Sequence, residues 1–126
     1  MTQISDKYPT LIKGSIGEQA VDLIRFLLPE KSSIIEFGCG VTSRLLLNWY
    51  NVYSIEHNHQ WLNHEHAYHV PLKQYNEVDF KSPEDISCLP FSNKQVAWYD
   101  PDILKRTLTQ IPKYDLIIID GPNGNY

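Results

Sequence analysis

The chain has 126 residues, which supports one modest domain with a small core, and 42% of them are hydrophobic, which excludes global disorder. A net charge of -4, from 11 basic and 15 acidic residues, argues against an extended nucleic-acid surface while leaving room for a local basic patch. Cys39 and Cys88 are too few for a disulfide framework, no apolar run approaches bilayer length, and no secretory leader is visible. The expected setting is therefore reducing and cytoplasmic.

Residues 1–14 are polar and interrupted by Pro9 and Gly14, so they read as an N-terminal arm ahead of a domain at 15–126. Ser15 and Glu18 have capping-box spacing. Ile16, Ala20, Val21, Ile24, Leu27 and Leu28 then recur with a helical period up to Pro29, predicting a helix packed on one face of a sheet. The stretch Ser32–Leu47 organises the rest. A short apolar strand ending at Phe37 breaks at Gly38-Cys39-Gly40, and a helix capped by Thr42 or Ser43 is expected to run to about Tyr50. A strand, a glycine turn and a helix start offer backbone N–H groups to a ligand beyond the strand's carboxyl end.

Val52–Ile55 is the second strand, with Glu56 at its tip, and Asn58 or His59 is expected to start a polar helix reaching about Ala67. A third strand is expected within Tyr68–Gln74, at a sheet edge because of Pro71. Residues 75–96 read as loops around one or two short strands. Asp100 caps a helix that has Pro101 in its first turn and reaches about Gln110. Tyr114–Ile119 is a near-continuous apolar run, suited to a parallel strand covered on both faces, and Asp120-Gly121-Pro122 follow it. Placed last, so apolar a strand lies at an open edge or under a partner. A homodimer covering that edge is one expectation.

The segments IIEFGCGVTSRLLL, VYSIEHNHQW and KYDLIIIDGP resemble, in that order, motifs of class I S-adenosylmethionine-dependent methyltransferases, over roughly Ser15–Asn123. The resemblance implies an α/β fold with a Rossmann-like, open, mostly parallel sheet and flanking helices, truncated after the fourth of the family's usual seven strands. It also implies S-adenosylmethionine as cofactor and methyl transfer to a small molecule. In it, Glu36 orients the methionine portion, Gly38, Cys39 and Gly40 form the cofactor turn, and Glu56 accepts the ribose hydroxyls. His57 lines the adenine side, Asp79 stands near the adenine amine with Phe80 beside it, and Asp120 serves as the catalytic or acceptor-orienting group.

Other chemistries are less well supplied. A dinucleotide fingerprint wants a third glycine one helical turn on, where Val41, Thr42 and Ser43 stand. The five histidines His57, His59, His64, His66 and His69 lack matching cysteines and zinc-site spacing, so no metal is expected. Cys39 has no histidine placed by sequence to activate it. Lys13, Lys73, Lys94, Lys105 and Arg106 form no dense basic block. The alternative to an enzyme is a non-catalytic nucleoside-binding or assembly module, or an inactive methyltransferase fragment.

Overall fold

The computed structural model describes residues 7–8, 16–75 and 96–121. Along them run α1 (Glu18–Leu27), β1 (Ser33–Phe37), α2 (Val41–Leu46), β2 (Asn51–Glu56), β3 (Ala67–His69), β4 (Leu72–Tyr75), β5 (Val96–Tyr99), α3 (Pro101–Leu108) and β6 (Leu116–Ile119). The candidates Asp79, Phe80, Cys88 and Pro122 lie outside the described residues, as does most of the arm. Of the arm, Lys7 Nζ pairs with Asp22 at 2.8 Å and the Tyr8 hydroxyl donates to the same carboxylate at 2.6 Å.

Four strands form an all-parallel sheet in the order β3-β2-β1-β6, and β4 and β5 form a separate antiparallel pair. With flanking helices, this is the α/β architecture expected. Pairing of Ile34 with Val52 and Leu116 sets these three on one face of the sheet. There they pack with Leu46 and Tyr50 and with Ile24 and Leu28 of the α1 region. One residue along, Ile35 pairs with Tyr53 and Ile117 on the opposite face. That face is covered by the β4–β5 pair and α3, through Tyr99, Val70, Leu72, Ile103, Leu104, Leu108 and Ile111. The two apolar faces of one twisted sheet thus acquire two different covers, giving a three-layer core.

α3 begins as its sequence dictates. The Asp100 carboxylate accepts from the N–H groups of Asp102 (3.0 Å) and Ile103 (3.2 Å), with Pro101 in the first turn. α1 departs from expectation: Ser15 is outside the described residues, and Gly17 stands at the N-cap without a side-chain cap. Val21, Ile24 and Leu28 turn inward, but Ala20 and Leu27 are exposed, as are Leu23 and Phe26. α2 is shorter than predicted and continues only as turns to Tyr50. Its cap is Gly40, whose N–H donates to Ser43 Oγ at 3.0 Å, rather than Thr42 or Ser43.

Two expectations beyond β2 are corrected. Instead of a helix to Ala67 there is a single 3₁₀ turn at His59–Trp61, started by Asn58 Oδ1 accepting from Gln60 N at 3.0 Å. Polar side chains there bond nearby backbone in place of a helical ladder, and no apolar stripe favours a longer helix. The strand expected across Tyr68–Gln74 divides at Pro71, into β3 in the parallel sheet and β4 in the antiparallel pair. Proline supplies no N–H to a ladder, so the chain changes sheets there.

Among the described residues β6 is an edge strand covered on one face only. Leu116 and Ile118 are half-buried, whereas Ile117 and Ile119 are 48% and 68% exposed. Among the described residues no helix is long and apolar enough to cross a membrane.

Candidate functional site

The face under α1 and α2 changes character one pleat along the strands. Ile34 and Val52 are apolar, but the next residues on that face, Glu36 and Ser54, are polar and paired in register. Glu36 is 1% exposed and Ser54 is fully buried. α2 closes the same space with Ser43, which is fully buried, and Thr42, which is 3% exposed. A buried carboxylate is tolerable only with hydrogen-bond donors around it. Here the hydroxyls of Ser43 and Ser54 both donate to Glu36 Oε1, the latter at 2.9 Å. Burial pushes the Glu36 carboxyl up to about 7; the two hydroxyls act in the opposite direction, while the charges of Asp120 and Glu56 add to the rise.

Glu56, at the tip of β2, is 5% exposed. Its Oε1 accepts from the N–H of Cys39 at 2.8 Å and its Oε2 from the N–H of Asn58 at 2.8 Å. One carboxylate thereby ties the glycine turn after β1 to the turn after β2. His57 Nδ1 stands 3.2 Å from Glu56 Oε2 yet is not aligned for a hydrogen bond, and that buried atom has no hydrogen-bond partner among the described residues. Thr42 Oγ1 is likewise buried with no hydrogen-bond partner among the described residues. The loop after the 3₁₀ turn clamps the glycine turn from outside. Asn63 Nδ2 donates to the carbonyl of Gly40 at 2.9 Å, and the Cys39 thiol donates to Asn63 Oδ1 at 3.2 Å.

The two glycines do different work. Gly38 has φ of +100°, and a Cβ there would lie 3.2 Å from backbone atoms of Asp120 and Gly121, so its freedom serves the close approach of the segments that follow the paired strands β1 and β6. Gly40 is extended, and a Cβ there would meet no atom of the described residues within 4 Å. Only the second leaves open space beside the backbone.

Asp120 follows β6, its N–H donating to the carbonyl of Phe37 at 2.9 Å. Its side chain is exposed, and partial withdrawal from water raises its pKa. The geometry therefore gathers Glu36, Gly38, Cys39, Gly40, Glu56 and His57 around the ends of β1 and β2, with Asp120 at the neighbouring strand end.

Sequence reasoning missed Ser54 and Asn63 and gave Ser43 only a capping role. Ser54 carried a signal: a small hydroxyl inside an apolar strand, two residues before Glu56. His64, set aside with the other histidines, places Nε2 2.8 Å from Ser54 Oγ. Among the described residues no group of three His, Cys, Asp or Glu side chains is placed to hold a metal ion. Comparison of the chain with family models, curated proteins and solved structures finds no match.

Proposed function

We propose that the ends of β1 and β2 bind S-adenosylmethionine and that the protein transfers its methyl group to a small-molecule acceptor. One observation carries the reading. Two buried carboxylates at the tips of adjacent parallel strands are joined to a glycine turn whose residue 40 has open space where a side chain would stand. Ligands of open parallel sheets bind beyond the strands' carboxyl ends, where such turns leave their N–H groups and backbone accessible.

Glu56 already takes one N–H on each oxygen, and each oxygen keeps a lone pair for a ribose hydroxyl. Those backbone bonds fix its orientation before the ligand arrives. Glu36 presents a carboxyl to the cationic amino-acid portion of the cofactor. Thr42 Oγ1 and His57 Nδ1, neither with a hydrogen-bond partner among the described residues, offer further polar contacts at the same turn. The bound cofactor supplies an already electrophilic methyl carbon, so the protein's task is to align an acceptor and exclude water. Asp120, exposed at the next strand end, orients an acceptor hydroxyl or takes its proton.

Calorimetric titration with S-adenosylmethionine, its demethylated product and NAD tests this reading. Binding of the first two is expected, with loss in Glu56→Ala and in Gly40→Val. The second variant fills space that no atom of the described residues occupies, so it should block the ligand while unfolding at the wild-type temperature. Absence of binding by the folded wild-type chain overturns the reading. Binding with no methyl transfer to any acceptor favours the nucleoside-binding or assembly module, a role that the exposed edge of β6 would suit.

A further inference from the structure

A hydrogen-bonded chain leads from the surface loop before β3 to the buried Glu36. The N–H of His66 approaches His64 Nδ1 at 3.3 Å, which leaves the ring proton on Nε2. That Nε2 is 2.8 Å from Ser54 Oγ, and the Ser54 hydroxyl donates to Glu36 Oε1 at 2.9 Å. With His64 donating, Ser54 has its single proton free for Glu36, so each link faces the same way. Ser43 adds a second donor to the same oxygen. Among the described residues both hydrogen bonds to this carboxyl fall on Oε1.

We propose that His64 is a positioning residue that acts through Ser54 to hold Glu36 Oε1 as an acceptor, so that capture of a cationic ligand group by Glu36 switches with pH. The chain saturates one oxygen and directs any proton to the other, the oxygen left for the ligand. An ionised Glu36 attracts an ammonium or another charged donor; a protonated one does not. The groups facing this carboxyl are Ser54 and Glu56 from β2, Ser43 from α2 and Asp120 from the end of β6. Those facing His64 are His66 and Glu65 from its own loop, Arg44 from α2 and Ser54 from β2. Burial first, and then the fields of His66 and Arg44, hold His64 in the neutral form that the chain requires. The consequence for binding rests on the cofactor reading above; the chain of hydrogen bonds does not.

Carboxyl carbon NMR of the labelled full chain across pH reads Glu36 without any ligand. In wild type its midpoint is expected near neutrality. Ser54→Ala should raise it by about one pH unit, the loss of one donor to a charged acceptor. His64→Leu, which keeps Ser54 but ends its polarisation, should raise it by a few tenths of a unit. His64→Gln, whose amide can donate to Ser54 in place of Nε2, should restore the wild-type midpoint. A His64→Leu midpoint equal to wild type overturns the proposal, as does a His64→Gln midpoint displaced as far as that of His64→Leu. Calorimetry with S-adenosylmethionine should then show affinity falling about tenfold per pH unit below the midpoint, with the break moving in His64→Leu as the NMR midpoint moves. Failure of wild type to bind at any pH overturns the cofactor reading alone, and the carboxyl titration still decides the role of His64.

Discussion

Replacing Glu36 by glutamine removes one titration from the core and should be visible in folding stability. In the folded protein the Glu36 carboxyl is raised from 4.5 to about 7, chiefly by burial. Between those values the folded chain holds a proton that the unfolded chain has released, so stability falls as pH rises across that window and is level above it. At about 1.4 kcal/mol per pH unit the full loss is about 3 kcal/mol, a large part of the stability of a small domain. Glu36→Gln keeps the shape and cannot ionise. Urea unfolding of both proteins from about pH 4 to about pH 8 is the assay, with the slope checked for constancy. Stability of wild type relative to the variant should drop by about 3 kcal/mol over that range. His64 and Asp120 also titrate differently in the folded state, but they are present in both proteins and cancel in the difference. Parallel pH curves for the two proteins would refute the burial argument.

Three further outcomes follow from local geometry. Gly38→Ala should destabilise the fold by about 1–2 kcal/mol or more, because of its positive φ and the backbone of residues 120–121 at 3.2 Å, whereas Gly40→Ala should be near neutral; thermal melts compare them directly. Lys31 has φ of +71°, so Lys31→Gly should stabilise by about 0.5 kcal/mol in urea unfolding, relief of a left-handed side chain outweighing the entropy of glycine. If the expected homodimer forms through the edge of β6, Ile119→Lys should convert the sedimenting species to a monomer and make the melting temperature independent of protein concentration, since Ile119 is 68% exposed.

Much of the frame was legible because it depends on local patterns. Apolar runs marked β1, β2 and β6, and the Asp100-Pro101 pair marked the start of α3. Acidic residues at the strand ends marked Glu36 and Glu56. What could not be read was set by contacts distant in sequence. Leu27 fits the helical stripe of α1 yet is exposed, because the inward direction was fixed by contacts with β1 and β6 rather than by periodicity. The polar stretch 58–66 looks like a weak helix. Its fate was decided by Asn63 and His64, whose partners, Gly40 and Ser54, lie 23 and 10 residues away.

The same distinction explains the site. A strand that alternates apolar and polar residues ordinarily sends its polar ones to water, and by that rule Glu36 and Ser54 are surface groups. Register contradicts the rule. Both stand on the face covered by α2, one pleat beyond Ile34 and Val52, so the helix seals a polar half-layer above an apolar one. An apolar residue at 36 or 54 would continue the core, and the fold alone gives no reason for the carboxyl that burial raises to about 7. Local violations of the burial rule that are held by hydrogen bonds mark places where a protein gives up stability for chemistry. Ser43, Ser54 and His64 hold one oxygen of this carboxyl and leave the other for a ligand. That is the ground for proposing a ligand at the tips of β1 and β2 rather than at the exposed histidines or at the edge of β6.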